Sequence, residues 1–132
     1  MTFHNVSYSF KLKGFMSESN DLTQFILNFF YDKGIFACRH GVAAGSASYT
    51  NKAGDTKTRF VRGGIPGGHD VFAWLPPLGR FLGIEIKTGK DRMRPEQEGF
   101  HKNIERMGGL SLIVHSREDF LEKICPILER PI

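Results

Sequence analysis

The chain has 132 residues, a mass of 14.9 kDa and a formal net charge of +4 at pH 7. That length fits one domain able to bury its own core and leaves little room for a second. An apolar fraction of 40% beside 24% charged residues excludes a disordered chain, and no stretch approaches the roughly eighteen uninterrupted apolar residues of a membrane-spanning helix.

In residues 1–16, Val6, Tyr8 and Phe10 alternate with polar neighbours, as an N-terminal arm or an additional strand would. A single domain is expected over residues 17–132. Ser17, Ser19 and Asn20 offer N-cap oxygens to a first helix, Asp21 to Tyr31. Its Leu22, Phe25, Ile26, Phe29 and Phe30 fall at helical spacing, and Gly34 suits its end. Ile35 to Arg39 reads as a short strand. His40 to Thr56 is rich in Gly, Ala, Ser, Thr and Asn and reads as a mobile loop, with a turn at Ala53-Gly54-Asp55. The nearby Lys52, Lys57, Arg59 and Arg62 make it a candidate phosphate-contacting loop, a plain solvated connection being the alternative. Gly63 to Gly68 is a turn-forming cluster that does not match a Walker motif, since no Lys-Ser/Thr follows it.

Asp70 to Leu75 and Phe81 to Lys87 read as two strands of a hairpin, joined through Pro76-Pro77-Leu78-Gly79. Thr88 to Arg94 is a charged loop. Pro95 can open a helix that runs to about Met107, with Phe100, Ile104 and Met107 as its buried stripe. Leu110 to Val114 is an apolar strand. Ser116 can cap a last helix carrying Phe120, Leu121, Ile124 and Leu128. The order helix, strand, strand, strand, helix, strand, helix predicts an α/β fold, a mixed sheet flanked by helices on both sides.

Lys57 to Arg94 holds eight basic residues against three acidic ones, whereas Glu96 to Arg130 holds seven acids against five bases. One positive face is therefore expected, suited to a polyanion. Cys38 and Cys125 sit among apolar neighbours and read as buried free thiols of a reducing compartment, a single disulfide being the alternative. The N-terminus lacks the basic start and apolar run of a secretory signal, so a cytoplasmic location is expected.

The chemistry concentrates on the hairpin. Asp70 opens one strand, and Glu85 and Lys87 lie two apart on the other. A strand repeats every two residues, so Glu85 and Lys87 share one face, opposite Ile84 and Ile86. A carboxylate and an ammonium thus interrupt an interior-looking strand, which is costly unless they are paired or hold a metal. Two carboxylates across a hairpin repel, and a divalent cation removes that repulsion. Oxygen donors suit Mg²⁺ or Mn²⁺, which polarise phosphodiesters and activate water. The carbonyl of Ile86 is a possible further ligand if the strand is open there. The same spacing also serves a solvated surface ion pair, and Asp70 after a glycine-rich turn could merely cap its strand. His69 could shuttle a proton or touch phosphate, or be a turn residue with no role. His40 is a secondary candidate for nucleic-acid contact. Trp74 reads as packing rather than as a base-stacking platform. His101 and His115 have no zinc-ligand spacing with the cysteines.

Gly64-Ile65-Pro66-Gly67-Gly68-His69-Asp70 followed by Gly83-Ile84-Glu85-Ile86-Lys87-Thr88-Gly89-Lys90 resembles the PD-(D/E)XK nuclease superfamily, and most of all its VRR-NUC branch of virus-type replication-repair nucleases. Arg94-Pro95-Glu96-Gln97-Glu98, Gly108-Gly109 and the first helix with Lys33 to Arg39 extend the likeness over about residues 18–120. The resemblance implies a restriction-endonuclease-like αβββαβ core and a nuclease dependent on Mg²⁺ or Mn²⁺. It implies Asp70 and Glu85 as metal ligands, Lys87 as the catalytic lysine and Gln97 at the same site. The family adds an acid from the first helix, for which Glu18 is the nearest match and Asp21 the alternative. Gly68-His69-Asp70 departs from the family's frequent Pro before the Asp.

The expected activity is hydrolysis of DNA, endonuclease more than exonuclease, on branched or flapped substrates by the family likeness. Arg39, Arg62, Lys90, Arg92 and Arg94 are the candidate backbone contacts. Two cuts would need a homodimer, for which the Phe-rich N-terminal arm and the Pro-Pro hairpin are candidate surfaces. The family likeness is consistent with a phage origin and hence a host cytoplasm. The alternative is a module that holds nucleic acid without cutting it, or a nuclease subunit that needs a partner.

Overall fold

Leu22, Ile26 and Phe30 recur every fourth residue and are all buried, which fixes one face of the first helix against the core. The computed structural model describes residues 17–41, 44–62 and 64–130, without the side chains of 44–47 and 60–62. The expected N-terminal arm or strand, residues 1–16, lies outside the described residues. In chain order the elements are α1 (Glu18–Asp32), β1 (Phe36–Arg39), β2 (Ala44–Thr50), β3 (Thr56–Arg62), β4 (Val71–Leu75) and β5 (Arg80–Ile86). Then come α2 (Pro95–Arg106), β6 (Leu110–Val114) and α3 (Arg117–Leu128).

Of the N-cap oxygens offered before the first helix Ser17 takes the role, so α1 starts at Glu18, ahead of the expected Asp21, and Ser116 caps α3 as expected. Ser17 accepts from the Asn20 N–H at 3.1 Å, and Ser116 accepts from the Asp119 N–H at 3.0 Å. Pro95 is the first residue of α2, where its missing N–H costs nothing.

Four strands form the central sheet in the order β1-β4-β5-β6. β1 and β5 both run antiparallel to β4, and β6 runs parallel to β5. The parallel pair is joined through α2, as a parallel connection requires. α1 and α3 cover one face, where Val71, Ala73, Leu75, Leu82, Ile84, Ile86 and Val114 meet Phe30, Phe120 and Ile124. On the other face Phe100 of α2 stacks on Phe72 with centroids 6.0 Å apart. The result is the mixed α/β architecture with an αβββαβ-like core.

Three expectations are corrected. Within the stretch His40 to Thr56, read as a loop, Ala44–Thr50 is strand β2, paired antiparallel with β3 in a separate two-stranded ribbon. The expected turn is its tip: Asn51 Oδ1 accepts from the N–H groups of Ala53 and Asp55 at 3.0 and 2.9 Å. Cys38 and Cys125 are free but exposed, because β1 is an edge strand and Cys125 lies off the buried stripe of α3. Met107 is 74% exposed, since it caps α2 after the helix has left the sheet. Among the described residues no helix is long and apolar enough to cross a membrane.

Candidate active site

The site forms where β5 outruns its neighbour. Val71, the first residue of β4, pairs with Ile84, so β5 continues past the start of β4. Asp70 fills the gap: its Oδ2 accepts the N–H of Ile86 at 2.8 Å. Within a strand the N–H and C=O of one residue point to the same neighbour, so the Ile86 carbonyl faces the Asp70 side as well. Lys87 is tied to the opposite neighbour. Its N–H donates to the Val114 carbonyl and its carbonyl accepts from His115 Nδ1, each at 2.9 Å.

Glu85 and Lys87 share the sheet face opposite the core, as their spacing requires. They are not on a solvated face: Glu85 is 2% exposed and Lys87 6%. Lys87 Nζ lies 3.3 Å from Glu85 Oε2, which also accepts from Gln97 Nε2 at 2.9 Å. The other end of the Gln97 amide accepts the Arg94 N–H at 2.9 Å, so one side chain caps α2 and holds Glu85. Among the described residues Glu85 Oε1 is buried with no hydrogen-bond partner. His69 Nδ1, 3.3 Å away, is off the line of a hydrogen bond and is itself without a partner. A buried carboxylate oxygen with free lone pairs is the donor a hard cation takes. Burial pushes the Asp70 carboxyl above its ordinary value. The Ile86 N–H and Lys87 work against the rise, and Glu85 adds to it.

The turn before Asp70 is built around His40, whose ring stacks on Phe72 at 4.4 Å. His40 Nε2 accepts the Ile65 N–H at 3.0 Å, which leaves Nδ1 to donate to the His69 carbonyl, also at 3.0 Å. A Cβ on Gly68 would come within 2.6 Å of His40 Cε1, so the glycine lets the turn close on the ring. Both nitrogens of His40 are therefore committed to the backbone, and the ring holds the turn. Nothing in the local sequence signals this bond, which spans residues 25 apart.

Asp70, Glu85, Lys87 and Gln97 are thus brought together. Glu18 is not gathered with them: it is exposed in the first turn of α1. Among the described residues no group of three or more His, Cys, Asp and Glu side chains is arranged to hold a metal, so the acidic ligands in view are the pair Asp70 and Glu85. Lys90, Arg92 and Arg94 are exposed on the loop between Lys87 and α2. Arg39, at the end of β1, is exposed and donates to Asn20 Oδ1 at 2.6 Å. The backbone of Arg62 ends β3, and its side chain lies outside the described residues. Trp74 is half-buried on the site face, stacked on Phe36 at 5.0 Å, in keeping with packing.

Comparison with protein families, with curated proteins and with solved structures gives no match to this chain.

Proposed function

We propose that the chain is a metal-dependent nuclease of the PD-(D/E)XK type, of the VRR-NUC branch, hydrolysing DNA phosphodiester bonds. The observation that carries the reading is the buried Glu85–Lys87 pair beside Asp70, with one Glu85 oxygen left without a partner among the described residues. Ionised groups buried together in this way are expensive to fold and are common at catalytic sites.

The donor set fits Mg²⁺ or Mn²⁺ through Asp70, Glu85 and the Ile86 carbonyl. Bound there, such an ion would supply charge stabilisation at the phosphodiester and help water lose a proton. Among the described residues Lys87 is the one buried lysine or arginine. Its Nζ, held against Glu85, is placed to orient the attacking water or to meet charge developing on a phosphate oxygen. Gln97 keeps the Glu85 carboxylate from turning and fixes the start of α2. Lys90, Arg92 and Arg94 then stand at the rim as backbone contacts.

The ribbon extends the basic surface. Lys57 and Arg59 lie two apart on β3 and so share a face, and Tyr49, opposite Lys57, joins them; all three are exposed. Such an arm suits the backbone of a branched or flapped duplex. A homodimer belongs to the same reading. Its seat is the apolar groove of about 950 Å³ between Pro76-Pro77-Leu78 and Ile127-Leu128. That groove lies at the opposite end of β4 from Asp70, so pairing there leaves the site open. The compartment proposed is the cytoplasm, that of the host for a phage-encoded chain.

The second reading, a binding module or a subunit awaiting a partner, is favoured by the two-carboxylate donor set. Labelled linear, nicked, flapped and four-way-junction DNA, each with Mg²⁺, Mn²⁺ or EDTA, separates the two. Metal-dependent cleavage with a preferred substrate is expected. Binding of DNA without cleavage under every condition would establish the module instead.

A further inference from the structure

Behind Glu85 a row of side chains runs from the site to the surface. His69 is fully buried, and its Nε2 lies 2.6 Å from Ser111 Oγ. The same Ser111 oxygen lies 2.6 Å from His101 Nδ1. His101 Nε2 ends the row 3.5 Å from Glu105 Oε1. The fold makes room for it. Gly83 and Ser111 are paired neighbours on β5 and β6, and a Cβ on Gly83 would come within 3.1 Å of the His69 ring. Phe100 closes over the ring at 4.9 Å.

Among the described residues Ser111 Oγ meets only these two rings, so its one proton goes to one of them, and with neutral rings the row has two directions. If Ser111 donates to His101, His69 must donate through Nε2, and its Nδ1 lone pair then faces the Glu85 carboxylate. If Ser111 donates to His69, Nδ1 carries the proton toward Glu85, and His101 donates to Ser111. The Glu85 side chain is 3% exposed, whereas that of Glu105 is 57% exposed. A misplaced lone pair is costly at the first, where the dielectric is low, and screened by water at the second. The buried end decides the direction.

We infer that Ser111 and His101 are positioning residues, which hold His69 as an Nδ1–H group on the Glu85 side, where it stabilises that carboxylate electrostatically across 3.3 Å without taking up its lone pairs in a hydrogen bond. The hydrogen-bond direction stands on geometry alone; its value to a metal site rests on the nuclease reading. Outer groups of this kind commonly change metal affinity by roughly 10- to 100-fold.

Nitrogen-15 spectra of the imidazoles in the metal-free protein test the direction. A proton on Nδ1 of His69 is expected in the wild type, with loss of that fixed tautomer in Ser111→Ala. A proton on Nε2 with Nδ1 bare would overturn the inference. Mn²⁺ titration tests the consequence. Ser111→Ala and His101→Ala are expected to bind Mn²⁺ about 10-fold more weakly, at melting temperatures that show a folded protein, with Ser111→Thr close to wild type. Wild-type affinity in both alanine variants would contradict the positioning role. A wild type that binds no Mn²⁺ refutes the metal reading by itself, and the nitrogen spectra then decide the hydrogen-bond direction.

Discussion

Lys87 Nζ and Glu85 Oε2 lie 3.3 Å apart inside the protein, from two positions on the same strand face. Removing one partner of a buried pair leaves the other charge uncompensated, at a cost of about 3–5 kcal/mol. Lys87→Ala is therefore expected to lower the melting temperature of the metal-free protein, with Mn²⁺ restoring part of the loss. Cleavage should fall by roughly 10²- to 10³-fold. The double variant Glu85→Gln with Lys87→Met removes both charges. It should recover stability and stay inactive, which separates folding from catalysis in one pair of melting curves and assays.

Asp70 sets a pH dependence. Its carboxyl is held above the ordinary value of 3.8, chiefly by burial, so the folded state keeps a proton that the unfolded state has lost. Its contribution to stability is favourable at low pH and falls as pH rises from the ordinary carboxylate range through the raised value. Asp70→Asn should flatten that fall, raise the metal-free melting temperature at pH 7 and abolish the Mn²⁺-induced rise. Melting curves across pH, with and without Mn²⁺, check all three.

The turn that carries Asp70 depends on the close approach of Gly68 to His40. Gly68→Ala places a methyl against both the His40 ring and the Ile65 carbonyl. A loss of about 1–3 kcal/mol in urea unfolding is expected, with weaker Mn²⁺ binding because Asp70 shifts. Ser116→Ala is the control. It should cost about 1 kcal/mol through its lost cap and leave Mn²⁺ binding unchanged.

The ribbon gives a prediction of a different kind. Lys57→Ser with Arg59→Ser should weaken DNA binding and lower the slope of log affinity against log salt by roughly one unit per lost phosphate contact. Cleavage of saturating DNA should be unchanged. Binding at several salt concentrations in EDTA reads the slope.

The sequence made the sheet face of Glu85 and Lys87 legible because alternation along β5 is strict. Ile84 and Ile86 must turn inward, which leaves the charged pair on the other side. The β4–β5 hairpin was legible from its Pro-Pro-Leu-Gly break, and Gln97 from the family likeness. β2 was not, because its Gly, Ala and Ser residues show no apolar alternation, and only the turn at its tip was visible. The role of His40 was hidden because its bonds reach Ile65 and His69, which are distant in sequence. The row from His69 through Ser111 to His101 was hidden for the same reason. Its members come from a turn, a strand and a helix that only the sheet brings together. Cys38 misled because apolar neighbours in sequence say nothing about which side of an edge strand is covered.

The most direct measurement is a time course of DNA cleavage by the wild type beside Lys87→Ala and Asp70→Ala, each with Mg²⁺, Mn²⁺ or EDTA. The expected result is cleavage by the wild type with either metal, none in EDTA, and loss in both variants. Cleavage that persists in EDTA, or that survives in both variants, would contradict an active site built on Asp70, Glu85 and Lys87.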